Sequence, residues 1–298
     1  MTKLDSLCVF LLSDNFKKKI EKIIIFLSIS SFLLHLIFII LNKLQIIQLG
    51  ELSKLFVHPI AAIYTPFSFI LIYEVYLLVY YLPKSTSIYI GKQYEIILLI
   101  VIRRIFKDIS NLEFTNNWFN VKYDLIFMYD LAAVITLFYL IFKFYQLNDQ
   151  NSINSRKNDS KISTEVKKFI KTKEYIATLL VPIVFILSLY SLGNWLLDSF
   201  SSIDKLVYEF KDVNKIFFDD FFTLLILVDV FLLLFSFLHS DKFSKVIRNS
   251  GFIISTIMIK LSFGTDGILN VILIVMSVVF GIVILAIHNK YDKLESDF

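Results

Sequence analysis

Two carboxylates sit inside long apolar runs, and a carboxylate there can bind a cation or exchange a proton. Glu74 lies in Phe67-Ser-Phe-Ile-Leu-Ile-Tyr-Glu-Val-Tyr-Leu-Leu-Val-Tyr-Tyr-Leu82, and Asp229 in Phe222-Thr-Leu-Leu-Ile-Leu-Val-Asp-Val-Phe-Leu-Leu-Leu-Phe-Ser-Phe237. An ionised group in hydrocarbon is costly, so each acid must face protein, water or a counter-charge. Other charges fall at comparable depths. Lys92 and Glu95 enter one neighbouring segment, followed by the adjacent pair Arg103-Arg104. Asp124 and Asp130 lie on the next segment. In the second half, Lys245 and Arg248 are expected at the level of Asp229, and Lys260 at the level of Asp266. Arginine stands out in a chain that otherwise uses lysine, because its planar fork suits bidentate pairing with carboxylate. Such charges either mark an ion or proton path or serve as packing devices between helices.

Tyr73, Tyr76 and Tyr80 share a broad helical face beside Glu74. Their hydroxyls could line a path with that acid or anchor the helix at the membrane boundary. The histidines His35, His58, His239 and His288 show no metal-binding spacing, and no His-Glu-x-x-His occurs. His35, inside the first apolar segment, reads as a hydrogen-bonded packing residue. Cys8 is the only cysteine, which excludes an intramolecular disulfide and a cysteine-based metal cluster. No phosphate-binding glycine loop or dinucleotide fingerprint is present, so no cofactor and no metal are expected. A net charge of +4 gives no reason to expect nucleic acid as a partner.

The elements that must position these residues follow from composition. Hydrophobic residues make up 57% of the chain, and several apolar runs approach twenty residues, the length a helix needs to cross a core about 30 Å thick. The expected fold class is all-α, a polytopic membrane helical bundle. Six segments read directly as spans: Ile23–Leu41, Pro59–Leu82, Val121–Phe144, Tyr175–Leu197, Phe217–Leu238 and Ile268–Ile287. Ile88–Ile109 and Ser244–Phe263 hold several charges and could lie along the membrane surface instead. Charge placement decides between the two. With eight spans and an inside N-terminus, most of the 30 basic residues fall on the cytoplasmic side, as cytoplasmic loops require. If Ile88–Ile109 failed to cross, the basic stretch Lys143–Lys173 would land outside. Pro66 and Pro182 fall within spans and are expected to bend them. No two glycines stand four apart within one span, so packing is expected to rely on interlocking large side chains.

Sliding the chain by 155 positions places Glu74 on Asp229. With four spans between them, the two copies point the same way, which predicts two parallel four-helix repeats. The expected organisation is a first unit over 1–145, a basic cytoplasmic linker over 146–173 and a second unit over 174–298. The polar tract Gln146–Ser163 reads as flexible. The basic stretch Thr164–Lys173 reads as a helix start drawn to anionic lipid or to a protein partner.

These features point to a transport protein of the cell membrane, an ion or proton channel or a small-ion carrier, with both termini cytoplasmic. Its pathway residues would be Glu74, Asp229, Glu95, Asp130, Arg103, Arg104 and Lys260, lined by Tyr73, Tyr76 and Tyr80. The alternative is a scaffold or subunit without catalysis. Its partners would be the lipid bilayer, a second copy or another membrane protein, in place of an ion or small solute. An intramembrane enzyme fits least well, since no nucleophile–base or metal constellation is evident.

Overall fold

In the computed structural model, residues 3–46, 62–109, 122–156, 164–201, 213–239 and 243–296 are described. Among them the secondary structure is helical, without strands. The helices are α1 (Lys3–Leu11), α2 (Asp14–Lys43), α3 (Tyr64–Tyr81), α4 (Thr86–Ile109), α5 (Lys122–Arg156), α6 (Thr164–Ser201), α7 (Val213–His239), α8 (Phe243–Ser262) and α9 (Ile268–Ser296). Among the described residues four helices are long and apolar enough to cross a membrane, over Asp14–Lys43, Leu125–Asp149, Phe218–Phe237 and Ile268–Leu294. That length and composition make this a membrane protein.

Local chemistry sets the helix ends. Ser13 has extended backbone and accepts a hydrogen bond from the Phe16 amide at 3.1 Å, while Asp14 in the first turn and Lys43 in the last complement the helix dipole. Pro66 falls in the first turn of α3, where its missing N–H interrupts nothing, so the expected bend has no cause there. Pro182 lies inside α6, which stays helical on both sides of it. α5 runs on to Arg156, so the first part of the tract expected to be flexible is helical. Pro59, His58 and residues 157–163 fall outside the described residues.

Consecutive helices pack as neighbours: α2 on α3, α3 on α4 and α4 on α5, then α6 on α7, α7 on α8 and α8 on α9. The two rows join through α5 with α9, α3 with α6, and α4 with α8, while α1 packs on α6. Five helices, α3, α4, α6, α7 and α8, therefore enclose a common interior. The outer helices present apolar side chains outward, such as Phe26 on α2, Phe138 on α5, Ile186 on α6 and Leu227 on α7. No large exposed hydrophobic side chain is found on the described part of α3 or α4. The charged α4 segment is thus walled in by α3, α5 and α8.

Large side chains do interlock, but against glycine. A Cβ on Gly91 would meet the Tyr145 hydroxyl at 2.8 Å, and one on Gly251 would meet Ile284 at 2.7 Å. At Gly281 an added methyl would collide with the Tyr94 hydroxyl. Single glycines, without a four-residue repeat, let α4 approach α5, α8 approach α9, and Tyr94 reach across to α9.

Candidate functional site

Asp229 projects from α7 into the five-helix interior and is 8% exposed. α4 supplies its first partner, fully buried Gln93, whose Nε2 donates to Oδ2 at 3.4 Å. Gln93 is oriented in turn by Thr256 of α8, whose hydroxyl donates to Oε1 at 2.7 Å. Tyr89, one turn before Gln93 on α4, is buried against the same site. Beside Asp229 lies a small cavity of about 30 Å³ bordered by Lys173, Tyr89, Thr86, Asn249 and Phe252. A space of that size holds a water molecule when polar groups surround it. Lys173, from the start of α6, is 6% exposed; its ammonium stands 5.1 Å from the Phe169 ring and attracts Asp229 through space.

This counter-charge differs from the expected one. Lys245 is exposed, and Arg248 turns to α9, where Nη1 meets His288 Nε2 at 3.0 Å, while its Nε donates to Asn249 Oδ1 of α8 at 3.3 Å. Arg248 reaches the site only by repelling Lys173. The physical reason is helix rotation. Asp229 faces the α4–α6 side of the interior, whereas the Arg248 side of α8 faces α9.

Glu74 belongs to a separate constellation with Lys92 and Glu95, whose charges act on it. Lys92 Nζ lies 2.6 Å from Glu95 Oε2, and the Tyr145 hydroxyl of α5 donates to Glu95 Oε1 at 2.6 Å. The Lys92–Glu95 pair of α4 is thus tied to α5. The tyrosines beside Glu74 turn away from it toward the first two helices. Tyr73 donates to Glu21 at 3.2 Å, Tyr76 to the Leu11 carbonyl at 3.0 Å and Tyr80 to Asp14 at 2.6 Å. They dock α1 and α2 onto α3. His35 likewise ties α2 to α3 through Thr65, at 2.6 Å.

At the opposite end of α4, Arg104 clamps Asp130 of α5 with Nε and Nη2, and its Nη1 donates to Asn270 Oδ1 at 2.7 Å. Asn270 is itself held by donating to the Ser262 carbonyl at 2.6 Å. Arg103 is buried. Lys260 pairs with Asp219 of α7 at 3.4 Å rather than with Asp266, because α8 turns that side chain toward α7. The Asp124 side chain lies outside the described residues.

Sequence reasoning missed Gln93, Thr256, Lys173 and Asn270 as partners. An uncharged amide in an apolar helix, as Gln93 is, could have been flagged, because a buried amide needs partners. Lys173 gave no such signal beside the three other lysines of Thr164–Lys173. Among the described residues no group of three or more His, Cys, Asp or Glu side chains is placed to hold a metal ion. No protein-family model matches this chain, and no curated protein or solved structure matches it.

Proposed function

We propose that this protein moves small ions or protons across the cell membrane, with Asp229 as the ionisable centre. The observation that supports this best is a buried carboxylate and a buried ammonium bordering one cavity large enough for water. A purely structural pair would be expected to close on itself, since a buried pair is favourable only with close geometry and satisfied hydrogen bonds. Here the carboxylate hydrogen-bonds to Gln93 instead, and the ammonium rests against Phe169. In this reading all eight segments cross the bilayer as two parallel four-helix repeats, with both termini cytoplasmic. Glu74 with Lys92 and Glu95 forms a second ionisable group, and Arg103, Arg104, Asp130 and Lys260 serve the outer side.

The test is ion flux through the purified protein in liposomes. Asp229→Asn should abolish flux, and Glu74→Gln should change its rate. Unchanged flux in both single variants and in the double variant would remove the proposal.

One observation favours a second reading, a membrane scaffold. The Arg104–Asp130–Asn270 clamp is fully satisfied and behaves as a brace between helices. A partner co-purifying in fixed stoichiometry, and lost when residues 146–173 are replaced by a neutral linker, would establish that alternative.

A further inference from the structure

Resting on the transport reading above, we infer that the ion handled at Asp229 is a proton, and that Lys173 is its relay partner. The cavity already contains a cation. Lys173 borders it together with Asp229, and an ammonium there offsets the negative charge that would hold a metal ion. A sodium or potassium ion entering here would lose most of its hydration shell in a space of about 30 Å³ and stand beside an ammonium. Like charge and lost hydration both oppose it in a low-dielectric interior. A proton needs no such room, because it passes from water to an oxygen or nitrogen without a coordination shell.

The groups facing the pair are consistent with one transferable proton. From α4 come Tyr89 and Gln93, from α8 Asn249 and, further off, the guanidinium of Arg248, and just past the end of α3 the aliphatic Leu82. Among the described residues no second carboxylate borders the cavity. The resting pair is a carboxylate and an ammonium, together neutral. A proton arriving at Asp229 makes the neutral acid and leaves the Lys173 ammonium without its counter-charge. Arg248 repels that ammonium further. Lys173 then releases a proton through cavity water and becomes a neutral amine. Transfer of the Asp229 proton to that amine restores carboxylate and ammonium, and one proton has crossed the pair. Lysine suits this role because its pKa shifts readily on burial, whereas arginine stays charged.

The test uses the purified full chain in liposomes under a potassium–valinomycin potential, with a pH-sensitive dye inside and radioactive sodium outside in parallel. We expect a potential-driven change in internal pH that is the same when sodium is replaced by choline, with no sodium uptake above empty liposomes. Lys173→Arg keeps the charge and can keep the fold, but cannot release a proton. It should lower proton flux about a hundredfold, the scale of a lost acid–base step, while leaving the thermal unfolding midpoint unchanged. Lys173→Gln, which also lacks a transferable proton, should be equally slow. Full flux in either stable variant would overturn the relay. Sodium uptake that depends on Asp229 and occurs without a pH change would overturn the proton assignment yet leave the transport reading standing. No movement of protons, sodium or potassium in folded wild-type protein would remove that reading and this inference with it.

Discussion

Replacing Asp130 with alanine should destabilise the bundle more than any other single change at the α4–α5–α9 junction. The Asp130 carboxylate is 1% exposed and accepts two N–H groups from Arg104. Removing one member of a buried pair costs about 3–5 kcal/mol, because the other charge is left without compensation. Two features hold the loss at the lower end. The Arg104 side chain is 26% exposed, so water can reach it, and its Nη1 keeps Asn270 as acceptor. We expect about 3 kcal/mol for Asp130→Ala, and about 1 kcal/mol for Asn270→Ala, which removes a neutral acceptor. A double-mutant cycle pairing Asp130→Ala with Arg104→Ala should give a coupling of about 2 kcal/mol, within the range of contacting residues. The assay is reversible unfolding in mixed micelles by titration with denaturing detergent, followed by circular dichroism. A loss below about 0.5 kcal/mol for Asp130→Ala, or additivity within that margin, would refute the claim that this clamp braces the helices.

Three further outcomes follow from packing. Gly281→Ala drives a methyl into the Tyr94 hydroxyl and should cost about 1–3 kcal/mol, the range of core overpacking; adding Tyr94→Phe should recover part of the loss in the same assay. Thr256→Val keeps the shape but leaves Gln93 Oε1 without its donor, which should cost about 1–3 kcal/mol and slow any Asp229-dependent flux. Tyr175→Phe removes the 2.8 Å hydrogen bond to Asp5 that holds α1 on α6. Weaker docking of α1 should raise the rate of maleimide labelling of buried Cys8.

The helical class and the apolar spans are legible in the sequence because apolar length is a local property. α2, α5, α7 and α9 coincide with segments that read as spans from composition alone. The need to shield Asp229 is legible for the same reason. Its partners are not, since rotation of a helix about its own axis decides whether Arg248 or Lys173 faces the acid, and that rotation is set by packing with several neighbours. The tyrosines beside Glu74 show the same limit. Their common face is visible in the spacing, but its docking against Glu21, Leu11 and Asp14 depends on where α1 and α2 settle. The pairing of Arg104 with Asp130 could be anticipated from chemistry and depth, whereas Asn270 could not, because it arrives from α9 across the junction of the two rows.

The enclosure of α4 has a consequence for how the protein is made. Gln93, Tyr94 and Arg104 find Asp229, Thr256, Ser255 and Asn270 only on helices synthesised later. Until those arrive, this helix must wait with its amide and phenol unsatisfied and with its guanidinium, already paired with Asp130 of α5, lacking its Asn270 acceptor. A fragment ending before α6 would leave it in that condition permanently, so the two rows are obliged to mature as one body.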